Sequence, residues 1–167
     1  IMSNQELREF DVTVVLVDID EPALQRMVKL AELIKAHHAA PAKIEATVDR
    51  SEALKGADYV ITSVAHRRWD LWQQDFYIPA AYGFPQVFGE NGGPGAAFHT
   101  LRSLDLMVPI ARDMERYCPD ALLINFTNPE SRVILAVNTL TSIRSVGLCH
   151  GPMETREKVS ELLDVPE

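Results

Sequence analysis

The chain has 167 residues, of which 47% are hydrophobic and 24% charged, and its formal net charge is −8. This length suits one globular domain with a sizeable core, and the recurring apolar runs argue against disorder. The acidic balance disfavours a nucleic-acid binder, since phosphate backbones require a basic surface, and no run approaches the roughly 20 apolar residues of a membrane helix. Two cysteines are too few for a disulfide framework and favour a reducing, cytoplasmic compartment. The chain starts with isoleucine, and we expect it to be a piece of a longer protein.

Apolar, β-branched runs alternate with stretches of helical periodicity along the whole chain. The runs predict strands at residues 12–17, 44–48, 58–63, 121–126 and 145–148. The periodic stretches predict a helix that starts at residue 21 behind an Asp20 cap, and further helices at 51–55, 65–82, 96–117, 130–139 and 153–163. We expect Leu101 and Met107 on the buried side of helix 96–117, a kink or break at Pro109, and irregular structure in the Gly-rich segment 89–95. This order predicts an α/β fold, a Rossmann-like doubly wound parallel sheet.

Three groups of polar residues follow predicted strands, at the sheet edge where such folds bind ligands. Asp18 follows the first strand, where an acid can bind the adenosine ribose of a dinucleotide or can join Asp20 in a helix cap. Ser63 ends the third strand, and its small size would let a dinucleotide approach the backbone. Asn125 and Asn128 lie at the end of the fourth strand, where carboxamides suit sugar hydroxyls or form an Asx turn.

Two further features carry reactive side chains. Cys149 and His150 follow the last strand, and a thiolate beside an imidazole suits a transition metal; the alternative is a buried cysteine beside a solvent-facing histidine. Glu90 lies between glycines in segment 89–95, too late in the chain for a Rossmann phosphate loop. That segment is typical of a substrate loop or of an ordinary surface loop.

Six collinear segments, taken together, resemble glycoside hydrolase family 4, the NAD- and divalent-metal-dependent glycosidases related to lactate and malate dehydrogenases. The segments are VVLVDID (14–20), DYVITSV (58–64), DFYIPAAYGF (75–84), GENGGPGAAFHTLRSL (89–104), LLINFTNPES (122–131) and SVGLCHG (145–151). The TNP and CHG segments, together with GPG followed by LRS, make the resemblance specific.

The resemblance implies an unusual route to glycoside hydrolysis. In that family NAD takes a hydride from C3 of the sugar, a base removes the C2 proton, and the bond at C1 is eliminated. Water then adds and the hydride returns, so that NAD is regenerated. Mn²⁺ or another divalent metal polarises the C2 and C3 oxygens.

The resemblance also implies roles for individual residues. It implies three cofactor-binding residues, Asp18, Ser63 and Asn125, and one metal ligand, Cys149. It implies three substrate-binding residues, Glu90, Asn128 and His150, of which His150 would also be catalytic by assisting protonation of the leaving group.

The position equivalent to a phosphate-binding arginine carries a tryptophan in this chain. In members that act on 6-phosphosugars an arginine precedes the IP segment by six residues, and here that residue is Trp72. Together with His150, Trp72 favours an unphosphorylated carbohydrate substrate, an α-glucoside, α-galactoside or uronide.

The domain organisation implied by the resemblance is one NAD-binding domain over residues 1–167. Its N-terminal Gly-rich strand and loop are missing from the sequence, as is a C-terminal domain with a tyrosine base and a second, histidine metal ligand. We expect the fragment alone to be inactive, and the whole enzyme to be a homo-oligomer, a dimer or tetramer.

Two alternatives remain open from the sequence. The first is a lactate- or malate-type 2-hydroxyacid dehydrogenase, which shares the strand-end acid and the TNP segment but would leave Cys149 and His150 without a role. The second is a non-catalytic dinucleotide-binding fragment.

Overall fold

A computed structural model describes residues 1–86 and 92–165, which form two units divided after Ala57. The first contains a 3-10 turn at Glu6–Glu9, then β1 (Thr13–Val17), α1 (Glu21–His38), β2 (Lys43–Thr47) and α2 (Arg50–Ala53). The second contains β3 (Tyr59–Thr62), α3 (Arg68–Ala81), α4 (Gly93–Tyr117), β4 (Leu122–Asn125), α5 (Glu130–Leu140), β5 (Ser145–Gly147) and α6 (Gly151–Leu163). Every predicted strand and helix is present, with bounds that differ by a few residues. None of the helices in these described ranges has the length and hydropathy needed to cross a bilayer.

In the first unit, β1 and β2 form a parallel pair connected by α1. The predicted cap of α1 is confirmed, because Asp20 Oδ1 accepts a hydrogen bond from the Ala23 amide at 2.9 Å. Pro22 lies in the first turn of α1, where its missing N–H removes no intrahelical bond. Leu24 and Ala31 are the buried residues of this helix.

In the second unit, β3, β4 and β5 form a three-stranded sheet in that order, and all pairings are parallel. The predicted α/β fold with parallel sheets is therefore confirmed. Helix α4 contacts both α3 and α5. The core includes five large apolar side chains that are fully buried, each of which stabilises the fold by roughly 1.5–3 kcal/mol; they are Met107, Met114, Leu123, Val133 and Val137.

The expectation of irregular structure in segment 89–95 is wrong for residues 93–95, which form the first turn of α4. Pro94 is tolerated there because the first amides of a helix have no intrahelical acceptor. Gly95 is needed there for a packing reason, since a Cβ atom at this position would overlap the main-chain carbonyl of Asp75 on α3. Residues 89–91 lie outside the described part of the chain.

Two expectations about α4 are corrected. The helix is not broken at Pro109, which is exposed, while the next two residues, Ile110 and Ala111, are buried. Leu101 is 64% exposed. The buried position at this level of the helix is Ser103, which lies about 200° around the helix axis from Leu101.

Candidate functional site

The three strands of the second unit end level with one another. Thr62 at the end of β3 pairs with Asn125 at the end of β4, and Asn125 pairs with Gly147 at the end of β5. Neighbouring strands are about 4.8 Å apart, so the residues that follow them emerge side by side. This carboxyl edge brings together Ser63, the loop 126–129 and Cys149, as predicted for a ligand-binding edge of a parallel sheet.

Asn125 is fully buried, and both ends of its carboxamide form hydrogen bonds with neighbouring residues. Its Oδ1 accepts hydrogen bonds from the Thr62 hydroxyl and from the Thr127 amide, both at 3.0 Å, and its Nδ2 donates to the Thr127 carbonyl at 3.0 Å. The Thr127 hydroxyl in turn accepts from the Val64 amide at 3.0 Å. This network fixes the loops after β3 and β4 to each other. Asn125 thus acts here as the Asx-type support of the loop, with no exposed surface for a ligand.

Asn128 is half-buried at the tip of the loop after β4 and precedes Pro129 through a cis peptide bond. Its main-chain carbonyl accepts a hydrogen bond of 2.6 Å from the hydroxyl of Ser103 on α4. The loop is therefore fixed on one side by Asn125 and Thr127, and on the other by α4. Ser63, next to this loop, is exposed.

Cys149 and His150 lie between β5 and α6, and both are exposed. The alternative of a buried cysteine at this position is therefore wrong. The Cys149 Sγ accepts from the Gly151 amide at 3.4 Å, in the first turn of α6, where amides without helical acceptors favour an anionic ligand. The His150 side chain is 81% exposed and pairs with Glu154 at 3.4 Å, a surface contact that leaves the ring open to solvent.

The described donors at this edge do not make a complete metal site. Within residues 1–86 and 92–165 no three His, Cys, Asp or Glu side chains are grouped so that they could hold a metal ion. Cys149 is a free and exposed thiol at this edge. The carboxylate of Glu130 lies against Gly147, two residues before Cys149, so that a Cβ atom at Gly147 would overlap it. Glu130 is not among the predicted site residues, although its position directly after the TNP segment is a usable signal.

Asp18 belongs to the first unit and follows β1 as predicted. It is exposed, and its Oδ1 accepts from the Asp20 amide at 2.9 Å. Asp20 completes the turn by capping α1. Asp18 is therefore part of the turn before α1, as the alternative interpretation predicted. Among the described residues, only one of its two carboxylate oxygens accepts a hydrogen bond.

Glu90 lies outside the described residues. Between α3 and α4 the structure shows a charged cluster around the buried carboxylate of Asp75, which no motif in the sequence indicated. Asp75 on α3 is paired with Arg102 and, at 3.2 Å, with His99 Nδ1, both on α4. Helical spacing of three residues between His99 and Arg102 was the available signal, but nothing in the sequence pointed to Asp75 as their partner.

The chain matches the profile of one protein family over residues 1–165, and that family is described as family 4 glycosyl hydrolase. The α-glucosidase of Erwinia rhapontici is 39% identical over 153 residues, which cover 90% of this chain and 34% of that protein. A probable 6-phospho-β-glucosidase of Bacillus subtilis is 38% identical over 154 residues, which also cover 90% of this chain and 34% of that protein. The chain thus spans about a third of the length of these relatives.

Solved structures share the fold. The crystal structure of LplD of Bacillus subtilis, described as a glucosidase, has a TM-score of 0.83 at 29% identity and covers 99% of this chain and 38% of that chain. A 6-phospho-α-glucosidase from gut microorganisms, solved in complex with NAD and Mn²⁺, has a TM-score of 0.79 at 24% identity and covers 93% of this chain and 35% of that chain.

Proposed function

Because the chain belongs to glycosyl hydrolase family 4, we propose that it is the dinucleotide-binding part of a glycosidase that requires NAD and a divalent metal. The observation that carries this proposal is the level carboxyl edge of β3, β4 and β5, from which Ser63, the Asn128 loop and an exposed Cys149 emerge together. A dehydrogenase of the 2-hydroxyacid type has no use for Cys149 and is disfavoured by the family match.

Each of the two units, taken by itself, offers residues that would suit contact with a dinucleotide. Asp18 keeps one carboxylate oxygen without a partner among the described residues, which suits a ribose hydroxyl. Ser63 is exposed at the edge, and Asn125 would act on the cofactor through the loop that it supports. When bound, NAD would supply reversible oxidation of the sugar at C3.

The residues present fit a metal in part. Cys149 would be one ligand of Mn²⁺, or of another divalent ion, and the remaining ligands would come from outside the described residues. The metal would act as a Lewis acid on sugar oxygens. Asn128 and Glu90 would bind the sugar, and the open ring of His150 would contact it and assist protonation of the leaving group.

We propose an unphosphorylated α-glycoside, a glucoside, galactoside or uronide, as the substrate. The two relatives above are named for an unphosphorylated and for a phosphorylated substrate and are almost equally similar, so identity does not decide. Trp72 supports the unphosphorylated class. Its ring lies between those of Trp69 and Phe76, at centroid distances of 5.8 and 6.3 Å, and a phosphate would need a cation there. The nearby Arg67 is paired with Asp70 at 3.2 Å.

The proposal includes a cytoplasmic location and a homo-oligomeric state. The two cysteines of the chain are both free, which suits the cytoplasm, where thiols stay reduced. A homo-oligomer, dimer or tetramer, stays a prediction.

The test is hydrolysis of nitrophenyl glycosides by the full-length enzyme. We expect activity only when NAD, Mn²⁺ and a reducing agent are all present. Cys149→Ser should abolish that activity, while the matched variant Cys118→Ser, at the buried cysteine, should retain it. Activity without NAD, or reduction of pyruvate or oxaloacetate by the same preparation, would overturn the proposal.

A further inference from the structure

The contact between α3 and α4 contains an ion pair whose carboxylate is buried and whose guanidinium is partly exposed. The Asp75 side chain is only 4% exposed, and its carboxylate contacts the guanidinium of Arg102 and the ring of His99. A carboxylate this deeply buried is costly unless a cation and hydrogen bonds offset its desolvation. Arg102 is therefore held firmly to α3, and with it the middle turns of α4.

The main chains of α3 and α4 also come close together about two turns before Arg102 on α4. Gly95 lies against the Asp75 carbonyl, with no room between them for a side chain. The same carbonyl accepts a hydrogen bond of 3.1 Å from Gln86 Nε2. Asp75 thus meets α4 twice, through the ion pair of its carboxylate with Arg102 and through the close packing of its carbonyl against Gly95.

Ser103 is the next residue after Arg102 and points about 100° away from it around the helix axis. It is 6% exposed, and its hydroxyl donates to the carbonyl of Asn128 at 2.6 Å. This bond connects α4, the helix that Asp75 contacts, with the tip of the loop after β4. Asn125 and Thr127 support that loop from the sheet side, so Ser103 contributes its support from the helix side.

We infer that Ser103 is a positioning residue, which holds the main chain of Asn128 so that its carboxamide meets the sugar in one orientation. The inference rests on the proposed function, in which Asn128 binds substrate. The Asp75–Arg102 contact restrains the turn of α4 that carries Ser103. A reaction of this kind depends on geometry, because misplacing a binding group by about 1 Å can cost as much as 100-fold in rate.

The first test does not depend on glycosidase activity. In the full-length protein we expect Ser103→Ala to raise hydrogen exchange of the peptide that covers 126–131 about tenfold, the effect of losing one buried hydrogen bond. Thr139→Ala is the matched control, because its hydroxyl also donates to a carbonyl at 2.6 Å, that of Leu135 on the exposed side of α5. Unchanged exchange in Ser103→Ala would overturn the inference, even if the full-length enzyme proved to have no glycosidase activity.

The second test is a double-mutant cycle on kcat/KM for a nitrophenyl glycoside. Ser103→Ala should lower kcat/KM about tenfold, and it should have no further effect in an Asn128→Ala background, since its effect passes through Asn128. Thr139→Ala should leave kcat/KM unchanged. Equal losses in both backgrounds would show that Ser103 acts through general stability and would overturn the inference. An inactive wild-type enzyme would instead count against the proposed function. The hydrogen-exchange result would then decide whether Ser103 positions Asn128.

Discussion

Gly95 on α4 lies so close to Asp75 on α3 that a Cβ atom would overlap the Asp75 carbonyl. We therefore expect Gly95→Ala to destabilise the protein by about 1–3 kcal/mol, because a main-chain carbonyl cannot move aside as a flexible side chain can. Gly92→Ala is the matched control, since a Cβ there meets nothing within 4 Å. Urea unfolding of both variants measures the difference. Equal stabilities would contradict the close packing of α3 against α4.

Asp18 and Asp20 are neighbouring carboxylates in one turn with separable roles. Asp20→Ala removes the cap of α1 and should cost about 1 kcal/mol of stability, with the NAD dissociation constant nearly unchanged. Asp18→Ala should weaken NAD binding at least about tenfold, the effect of losing a charged hydrogen bond to a ribose hydroxyl. Calorimetric titration of the full-length protein with NAD distinguishes the two. If Asp20→Ala proved the more damaging to NAD binding, the assignment of Asp18 would be wrong.

Cys149 and Cys118 should differ in their reactivity towards iodoacetamide. Cys149 is exposed, whereas Cys118 is buried, and burial raises the pKa of the Cys118 thiol and so lowers its thiolate fraction. In metal-free, full-length protein we expect alkylation of Cys149 long before Cys118, followed by mass spectrometry. Added Mn²⁺ should slow the alkylation of Cys149 alone. A rate at Cys149 that ignores Mn²⁺ would remove it from the metal site.

Glu115 contributes a stabilising contact that depends on pH. Its carboxylate accepts from the Ser142 amide at 2.7 Å and from the Ser142 hydroxyl at 2.9 Å, and these bonds lower the pKa of Glu115 below its ordinary value. Because the folded pKa is the lower one, the contribution is complete above the unfolded-state pKa and is lost as the pH falls through the folded pKa.

Glu115→Gln should therefore lower the thermal midpoint at neutral pH, and its difference from wild type should shrink as the solution is acidified below pH about 4. Ser142→Ala removes one of the two donors and should show a smaller difference of the same sign. A difference that stays constant across this pH range would exclude a charge-dependent contact.

Much of the fold could be predicted because local patterns and the final structure agree. The β-branched run before Asp18, the Asp20 cap and the periodicity of α5 each identify their element without tertiary information. Gly95 shows where this fails. Glycines in a run predict irregular structure locally, but here one of them is needed inside a helix for contact with Asp75, a residue 20 positions earlier that no local pattern connects to it.

The candidate site divides in the same way. The strand-end positions of Ser63, Asn128 and Cys149 follow from the order of elements, so the sequence could predict that they share one edge. The burial of Asn125 and the bond from Ser103 to Asn128 depend on which helix packs over the loop, and that is a tertiary fact. Asp75 was missed for the same reason, because its partners on α4 lie beyond the Gly-rich segment.

The most direct test of the proposed function is hydrolysis in D₂O by the full-length enzyme with NAD and Mn²⁺, with the sugar product analysed by NMR. If C2 is deprotonated and reprotonated during the reaction, the product carries solvent deuterium at C2, and we expect close to full incorporation. Product that forms at the normal rate with hydrogen retained at C2 would contradict it.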